Sequence, residues 1–234
     1  MDLLDKLGKE NNIDIKDFKL DDKLSKNVEE IIDAYEKILK KFLLGRLIEY
    51  EINRYWCCEQ NIPKNYSSRD ITFFSIKLEE IISKWTFPDY LYYSTTGLFI
   101  SALINNCNDA KYNIFTLDWK DQLYDIGYEL DGCKEINIIG NVGSVGKKMQ
   151  NGIINISGDV KNIIGESMGG GMIIVKGSVS YFDVNVKLIY GEVIIENNNE
   201  YYVDYYCKTK DNKFIGKVPK NKFSELRNVL KNIG

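Results

Sequence analysis

The sequence predicts an α+β chain: a helical first part, then a short parallel β-solenoid with one strand per turn, then a C-terminal helix. Three observations lead there. A short phrase recurs four times, as Glu135-Ile-Asn-Ile-Ile-Gly140, Ile153-Ile-Asn-Ile-Ser-Gly158, Met172-Ile-Ile-Val-Lys-Gly177 and Glu192-Val-Ile-Ile-Glu-Asn197, its closing positions 18, 19 and 20 residues apart. Near-constant self-similarity at such a period is the mark of stacked coils. The first part of the chain instead places apolar residues at steps of three and four, the period of an amphipathic helix. The last residues, Lys222 to Lys231, return to that period with Phe223, Leu226, Val229 and Leu230 on one face.

The stretch Asp22 to Gln60 reads as one long amphipathic helix, with Leu24, Val28, Ile31, Tyr35, Ile38, Leu39 and Phe42 inward. Its opposite face carries acidic residues early and lysines late, as the helix dipole prefers, and reads as a solvated face. Asn61-Ile-Pro63 ends it, because proline lacks an amide hydrogen and disfavours helical geometry just before it. Ser67-Ser-Arg-Asp70 has the spacing of an N-terminal capping box, which predicts a second helix with Ile71, Phe74, Leu78, Ile81 and Ile82 inward. Pro88 precedes a third helix, Asp89 to about Cys107. Being apolar on nearly every side, it is expected at the centre of a helical bundle, with Asn105 to Asp109 as the break before a strand-like Tyr112 to Leu117.

Within each repeat the alternation puts Ile136 and Ile138, Ile154 and Ile156, Ile173 and Val175, and Val193 and Ile195 on one side. No single strand can bury that side alone, whereas stacked parallel rungs cover one another. The linking segments repeat too: Ile126-Gly-Tyr-Glu-Leu130, Val145-Gly-Lys-Lys-Met149, Ile164-Gly-Glu-Ser-Met168 and Val184-Asn-Val-Lys-Leu188. Gly127, Gly146, Gly165 and Asn185 are expected at one corner needing positive φ, with Met149, Met168 and Leu188 as a second inward ladder. Gly132, Gly152, Gly171 and Gly191 mark a second corner just before each strand.

This phrase, in Val142-Gly-Ser-Val-Gly-Lys-Lys-Met-Gln-Asn-Gly152 and Ile164-Gly-Glu-Ser-Met-Gly-Gly-Gly-Met-Ile-Ile-Val-Lys-Gly177, resembles the glycine-repeat (GXGXG) β-helix domain. That domain closes the large subunit of glutamate synthase and makes up much of one of the subunits of formylmethanofuran dehydrogenase. The resemblance covers residues 114 to 205 and implies a right-handed parallel β-helix that serves redox enzymes as a scaffold. It offers no catalytic residue to carry over. The resulting organisation is a helical bundle over 1–111, a β-helix repeat domain over 112–206 and a basic tail with a short helix over 207–234.

Composition narrows function. A hydrophobic share of 44% with 28% charged residues is that of a globular chain, and a net charge of −3 argues against a surface built for nucleic acid. Tail residues Cys207 to Gly234 carry eight basic and two acidic residues, a local surplus that suits either an acidic partner or a cap on the solenoid. Acidic residues in Met1-Asp-Leu-Leu-Asp-Lys6 and polar residues diluting Tyr90 to Asn108 predict neither export nor a membrane span. Five cysteines, Cys57, Cys58, Cys107, Cys133 and Cys207, lack zinc-ribbon spacing and form no even disulfide framework, which fits a reducing cytoplasm. Adjacent Cys57-Cys58 leave a redox pair open, but in a helical pattern beside Trp56 at least one of them reads as a small apolar group.

The chain has no histidine, which removes the commonest general base and metal ligand. Gly140 to Lys148 fails as a phosphate loop, since Asn141 stands where a glycine is needed and Lys148 where a hydroxyl is needed. The aromatic run Tyr201 to Tyr206 reads as a strand covering the solenoid's open end. No catalytic, cofactor or metal residue is assigned, and no cofactor is expected. The reading is a non-catalytic scaffold protein that assembles with a protein partner or with itself, a redox-enzyme complex being the partner that the resemblance implies. Two alternatives stay open: a ligand-binding or enzymatic module with its site between the helical half and the solenoid, drawing on Tyr92, Tyr93 or Cys107, and nucleic-acid binding through the basic tail.

Overall fold

The computed structural model describes residues 26–43, 51–84, 89–116, 122–180, 191–199, 202–208 and 213–233. Helices α1 (Lys26–Leu43), α2 (Glu51–Glu59), α3 (Ser68–Ile82) and α4 (Asp89–Asn106) are followed by strands β1 (Lys111–Thr116), β2 (Glu135–Gly140), β3 (Ile153–Ile156), β4 (Met172–Val175), β5 (Gly191–Ile195), β6 (Tyr202–Lys208) and β7 (Lys213–Pro219), and by α5 (Lys220–Ile233). Where the periodicity suggests one helix from Asp22 to Gln60, the described residues form α1 and α2. The start and the joint of that stretch, residues 22–25 and 44–50, lie outside the described residues.

The β part is a solenoid of about four turns. Strands β1 to β5 lie in sequence order and pair in parallel, one per turn. Their register aligns Tyr112, Ile136, Ile154, Ile173 and Val193 in one row and Ile114, Ile138, Ile156, Val175 and Ile195 in the next. All ten are buried, so each rung's inward face is covered by the rungs above and below. Two further contacts complete the turns: Ile126, Val145 and Ile164 bridge in parallel, as do Val142, Val160 and Val179. Leu130, Met149 and Met168 are fully buried beside them.

The corners are sharply bent. Gly127, Gly146 and Gly165 have φ of +76°, +69° and +62°, and Gly132, Gly152, Gly171 and Gly191 have φ of +78°, +90°, +84° and +117°. Asn185 lies outside the described residues. Two residues after the first set stand Glu129, Lys148 and Ser167, whose φ of +52°, +56° and +57° put side-chain-bearing residues in the left-handed region. Stacked amides hold the first two there: Glu129 N donates to Lys147 O, and Lys148 N to Glu166 O. Left-handed geometry disfavours any residue with a Cβ, by about 1–2 kcal/mol each.

After β5 the chain reverses. Strands β6 and β7 pair antiparallel, so the parallel stack ends in a hairpin. Helix α5 lies over that hairpin: Phe223 meets Tyr205 edge-on with ring centroids 5.1 Å apart, Leu226 and Leu230 pack with it, and Arg227 Nε donates to Glu192 Oε2 at 2.7 Å. The amphipathic tail is thus a lid on the last rungs. At the other end, α3 covers the edge of β1, where Phe115 N donates to Ser75 Oγ at 3.1 Å, and the box read from Ser67 and Asp70 caps α3. One buried apolar cluster runs unbroken from Ile31 and Phe74 in the helices to Ile195 in the last turn.

Two substitutions test this architecture by chemical denaturation. Ile154→Ala, in the middle of the inner row, is expected to cost about 2–5 kcal/mol. Ser167→Gly is expected to raise stability by about 1 kcal/mol, because relief of the left-handed strain outweighs the added freedom of the unfolded chain.

Candidate functional site

Helix α4 is apolar along most of its surface, but one stripe of it is small and polar: Ser94, Gly97, Ser101 and Asn105, at steps of three and four. That stripe faces the solenoid's first turn. A Cβ on Gly97 would overlap the Tyr124 carbonyl oxygen, so glycine lets the two backbones touch. Ser94 Oγ donates to Asp125 Oδ2 at 2.6 Å. Ser144 Oγ, from the next turn, is 3.1 Å from Asp125 Oδ1 and accepts from Asp125 N at 3.0 Å. Ser101 Oγ accepts from Gly127 N and Tyr128 N at 2.9 and 3.2 Å, and its own proton goes to Gly97 O or Asp125 O. The C-terminus of α4 is held by Lys134, whose Nζ donates to Ile104 O at 2.8 Å and Asn105 O at 2.7 Å. Burial lowers the pKa of that ammonium, and the two carbonyls at the negative end of the helix compensate it.

Beside this seam, α2 and α4 and the first turn enclose a cleft of about 360 Å³ lined by Tyr55, Trp56, Glu59, Asn105, Glu129 and Asp131. Asn105 Nδ2 donates to Tyr55 Oη at 2.7 Å and to Tyr128 O at 3.1 Å. The Tyr55 ring lies 4.8 Å from that of Tyr128. Desolvation, reinforced by the negative charges of Glu59 and Glu129, pushes the Tyr55 phenol up to about 12. Asn105 Oδ1 is buried with no hydrogen-bond partner among the described residues. Trp56 is 62% exposed, while Lys148 Nζ sits 2.7 Å from Tyr128 Oη and 3.5 Å from Glu129 Oε1.

A second concavity, of about 400 Å³, follows the outer face of β1 to β4 between Lys111 and Lys176. An amide ladder runs along it: Asn137 Nδ2 donates to Asn113 Oδ1 at 3.2 Å and Asn155 Nδ2 to Asn137 Oδ1 at 2.9 Å. Such ladders tie stacked parallel strands to one another.

Neither place carries an activated nucleophile. Burial pushes the thiols of Cys57 and Cys58 up, and for Cys58 it outweighs the nearby Arg54 charge. Arg54 is itself buried, with Nε and Nη1 unpartnered among the described residues. Burial also raises the phenols of Tyr66 and Tyr112, which hydrogen-bond to Leu103 O and Cys107 O. Cys107 packs as a buried thiol, its Sγ 3.9 Å from Tyr66 O. Tyr93 packs against the main core, and the side chain of Tyr92 lies outside the described residues. Gly143 and Gly146, from the glycine-rich run tested as a phosphate loop, meet the Tyr124 ring and the Ile173 side chain as parts of the coil. Among the described residues no group of three or more acids or cysteines is placed to hold a metal ion, and no helix is long and apolar enough to cross a membrane. Comparison of the chain with protein-family models, curated proteins and solved structures finds no match.

Asp125 has a left-handed φ of +64°, so Asp125→Ala, which leaves two buried hydroxyls without their acceptor, is expected to destabilise by about 2–4 kcal/mol, whereas Asp125→Asn keeps one acceptor and tolerates that backbone, and should cost roughly half as much. A raised phenol pKa favours the neutral form in the folded protein. The stability it contributes is complete below the unfolded value of 10.0 and is lost as pH climbs towards about 12 for Tyr55. A pH series of denaturation curves should show stability falling in that window, and less steeply for Tyr55→Phe.

Proposed function

We propose that this chain is a non-catalytic structural protein whose solenoid is an assembly scaffold. The observation that carries the reading is the use made of the interior polar groups: Ser94, Ser101, Asp125, Ser144 and Lys134 are all engaged in fixing α4 to the first turn. The thiols of Cys57 and Cys58 and the phenols of Tyr55, Tyr66 and Tyr112 are held towards their neutral forms, which suits packing and not nucleophilic attack. The resemblance to the GXGXG β-helix supports the same role, and with it a right-handed coil behind an N-terminal helical bundle, in a cytoplasmic protein that joins a redox-enzyme complex or its own copies.

The ends of the solenoid are closed by α3 and α4 and by β6, β7 and α5, so assembly runs through its flank. Outer-face residues Lys111, Asn113, Asn137, Ser157 and Lys176 present a ridged, hydrogen-bonding surface for it. Nucleic-acid binding through the tail is less favoured, because Arg227 and Lys220 pair with Glu192 and Glu196 and Phe223, Leu226 and Leu230 of α5 pack on the hairpin, although Val229, expected on the same face, is exposed.

Sedimentation velocity tests the reading. A species heavier than the 27.0 kDa chain, or a stoichiometric complex with enzyme subunits that copurify, is the expected result, and Ser157→Arg with Lys176→Glu should dissociate it without lowering thermal stability. A monomer at micromolar concentration that brings no enzyme subunit through native purification overturns it.

A further inference from the structure

We propose that the cleft between α2, α4 and the first turn of the solenoid binds a small organic cation, a protonated or quaternary amine. This goes beyond the assembly role and does not rest on it. Three features combine around one open cleft. The first is an aromatic wall: Tyr55 lines the cleft with its phenol kept neutral, and Trp56 beside it leaves most of its indole in solvent, although Tyr55, Cys57 and Cys58 on the same helix are covered. Indole faces attract cations through the ring quadrupole, by about 0.5–2 kcal/mol depending on desolvation.

The second is charge. Glu59, Glu129 and Asp131 line the same space; Glu129 pairs with Lys148 at 3.5 Å, the charge of Asp131 acts on the Lys134 ammonium, and Glu59 has no ion-pair partner among the described residues. The three carboxylates are not grouped closely enough to hold a metal ion. They ring a volume of about 360 Å³, which suits a cation whose charge is spread over carbon and nitrogen atoms. The third is Asn105 on the same wall, with a buried Oδ1 that no described group satisfies while its Nδ2 is engaged with Tyr55 and Tyr128. A buried acceptor left unpaired costs about 1–3 kcal/mol, which the N–H of a protonated amine recovers if it reaches that oxygen, whereas a quaternary amine, having no N–H, is held by the aromatic and acidic walls alone.

The cleft is also built to stay open. Its aromatic and acidic residues come from α2 and from a corner of the coil, and Asn105 locks the two together through Tyr55 Oη and the Tyr128 carbonyl. The walls of the cleft are therefore fixed before any ligand enters, and only a local shift at Asn105 is needed to expose its Oδ1.

Isothermal titration of the full chain with tetramethylammonium and with spermidine, against neopentyl alcohol as an uncharged control of similar shape, tests the proposal. Saturable binding of at least one cation and not of the alcohol is expected, weakened about five-fold or more by Trp56→Ala but little by Trp56→Phe, and weakened several-fold by Glu59→Gln with Asp131→Asn. These side chains are exposed or at the cleft, so the variants should melt with the wild type. No saturable binding of either cation up to about 10 mM, equal binding of the alcohol, or affinity unchanged in the carboxylate variant overturns the proposal. None of these outcomes bears on the oligomeric state, so the two readings fail separately.

Discussion

The docking of α4 on the first turn of the solenoid is the constraint on which the rest of the structure depends. A stack of parallel rungs has an open end where aliphatic side chains and strand amides meet water, and it must be covered by something other than another rung. Here α3 covers the edge of β1, and α4 is pressed so close to the first turn that Gly97 touches backbone at Tyr124, while the first corner of the coil donates its amides to Ser101. Because Asp125 also accepts from Ser144 one turn on, the seam ties helix, first coil and second coil together. The helices and the solenoid therefore share one core and not two.

Closure of the far end follows a different logic. After β5 the aliphatic rows would be exposed again, and the chain answers by reversing direction into β6 and β7 and laying α5 across them. The outermost strand carries Lys213, Lys217 and Pro219, residues that blunt an edge against pairing with another chain. Among the described residues, a solenoid closed in this way offers no free parallel rung at either end for end-to-end stacking.

Much of the solenoid is legible in the sequence because stacking makes a strict demand: inward positions must be aliphatic at a period of two, and turns must recur at one length. Ile136, Ile154, Ile173 and Val193 meet that demand and pair in register. The first rung is harder to see, since Tyr112 and Ile114 feed the same rows without a preceding copy of the glycine phrase. Glu129, Lys148 and Ser167 escape sequence reasoning as left-handed residues because nothing about their side chains signals it; their place in the stacked corners imposes it. In α4, the serines that dilute the apolar pattern read as interruptions, yet Ser94, Gly97, Ser101 and Asn105 at helical spacing are an available sign of a close backbone approach. Strand β7 hides within a tail whose lysines dominate its reading.

The cleft cannot be found from spacing at all, because its residues come from Tyr55 to Glu59, from Asn105 and from Glu129 to Asp131, which only the docking of α4 brings together. Its position follows from the same constraint that closes the solenoid. Asn105 uses its amide hydrogens to fix the coil against α2, and in doing so leaves its carbonyl oxygen buried without a donor among the described residues. An apolar residue of similar volume would remove the unpaired oxygen but also the donor that Tyr55 Oη and the Tyr128 carbonyl now have, so asparagine serves the seam at the cost of one unsatisfied acceptor. That acceptor, next to an uncovered indole and to the carboxylates of Glu59 and Asp131, is the reason to regard the cap as more than a lid.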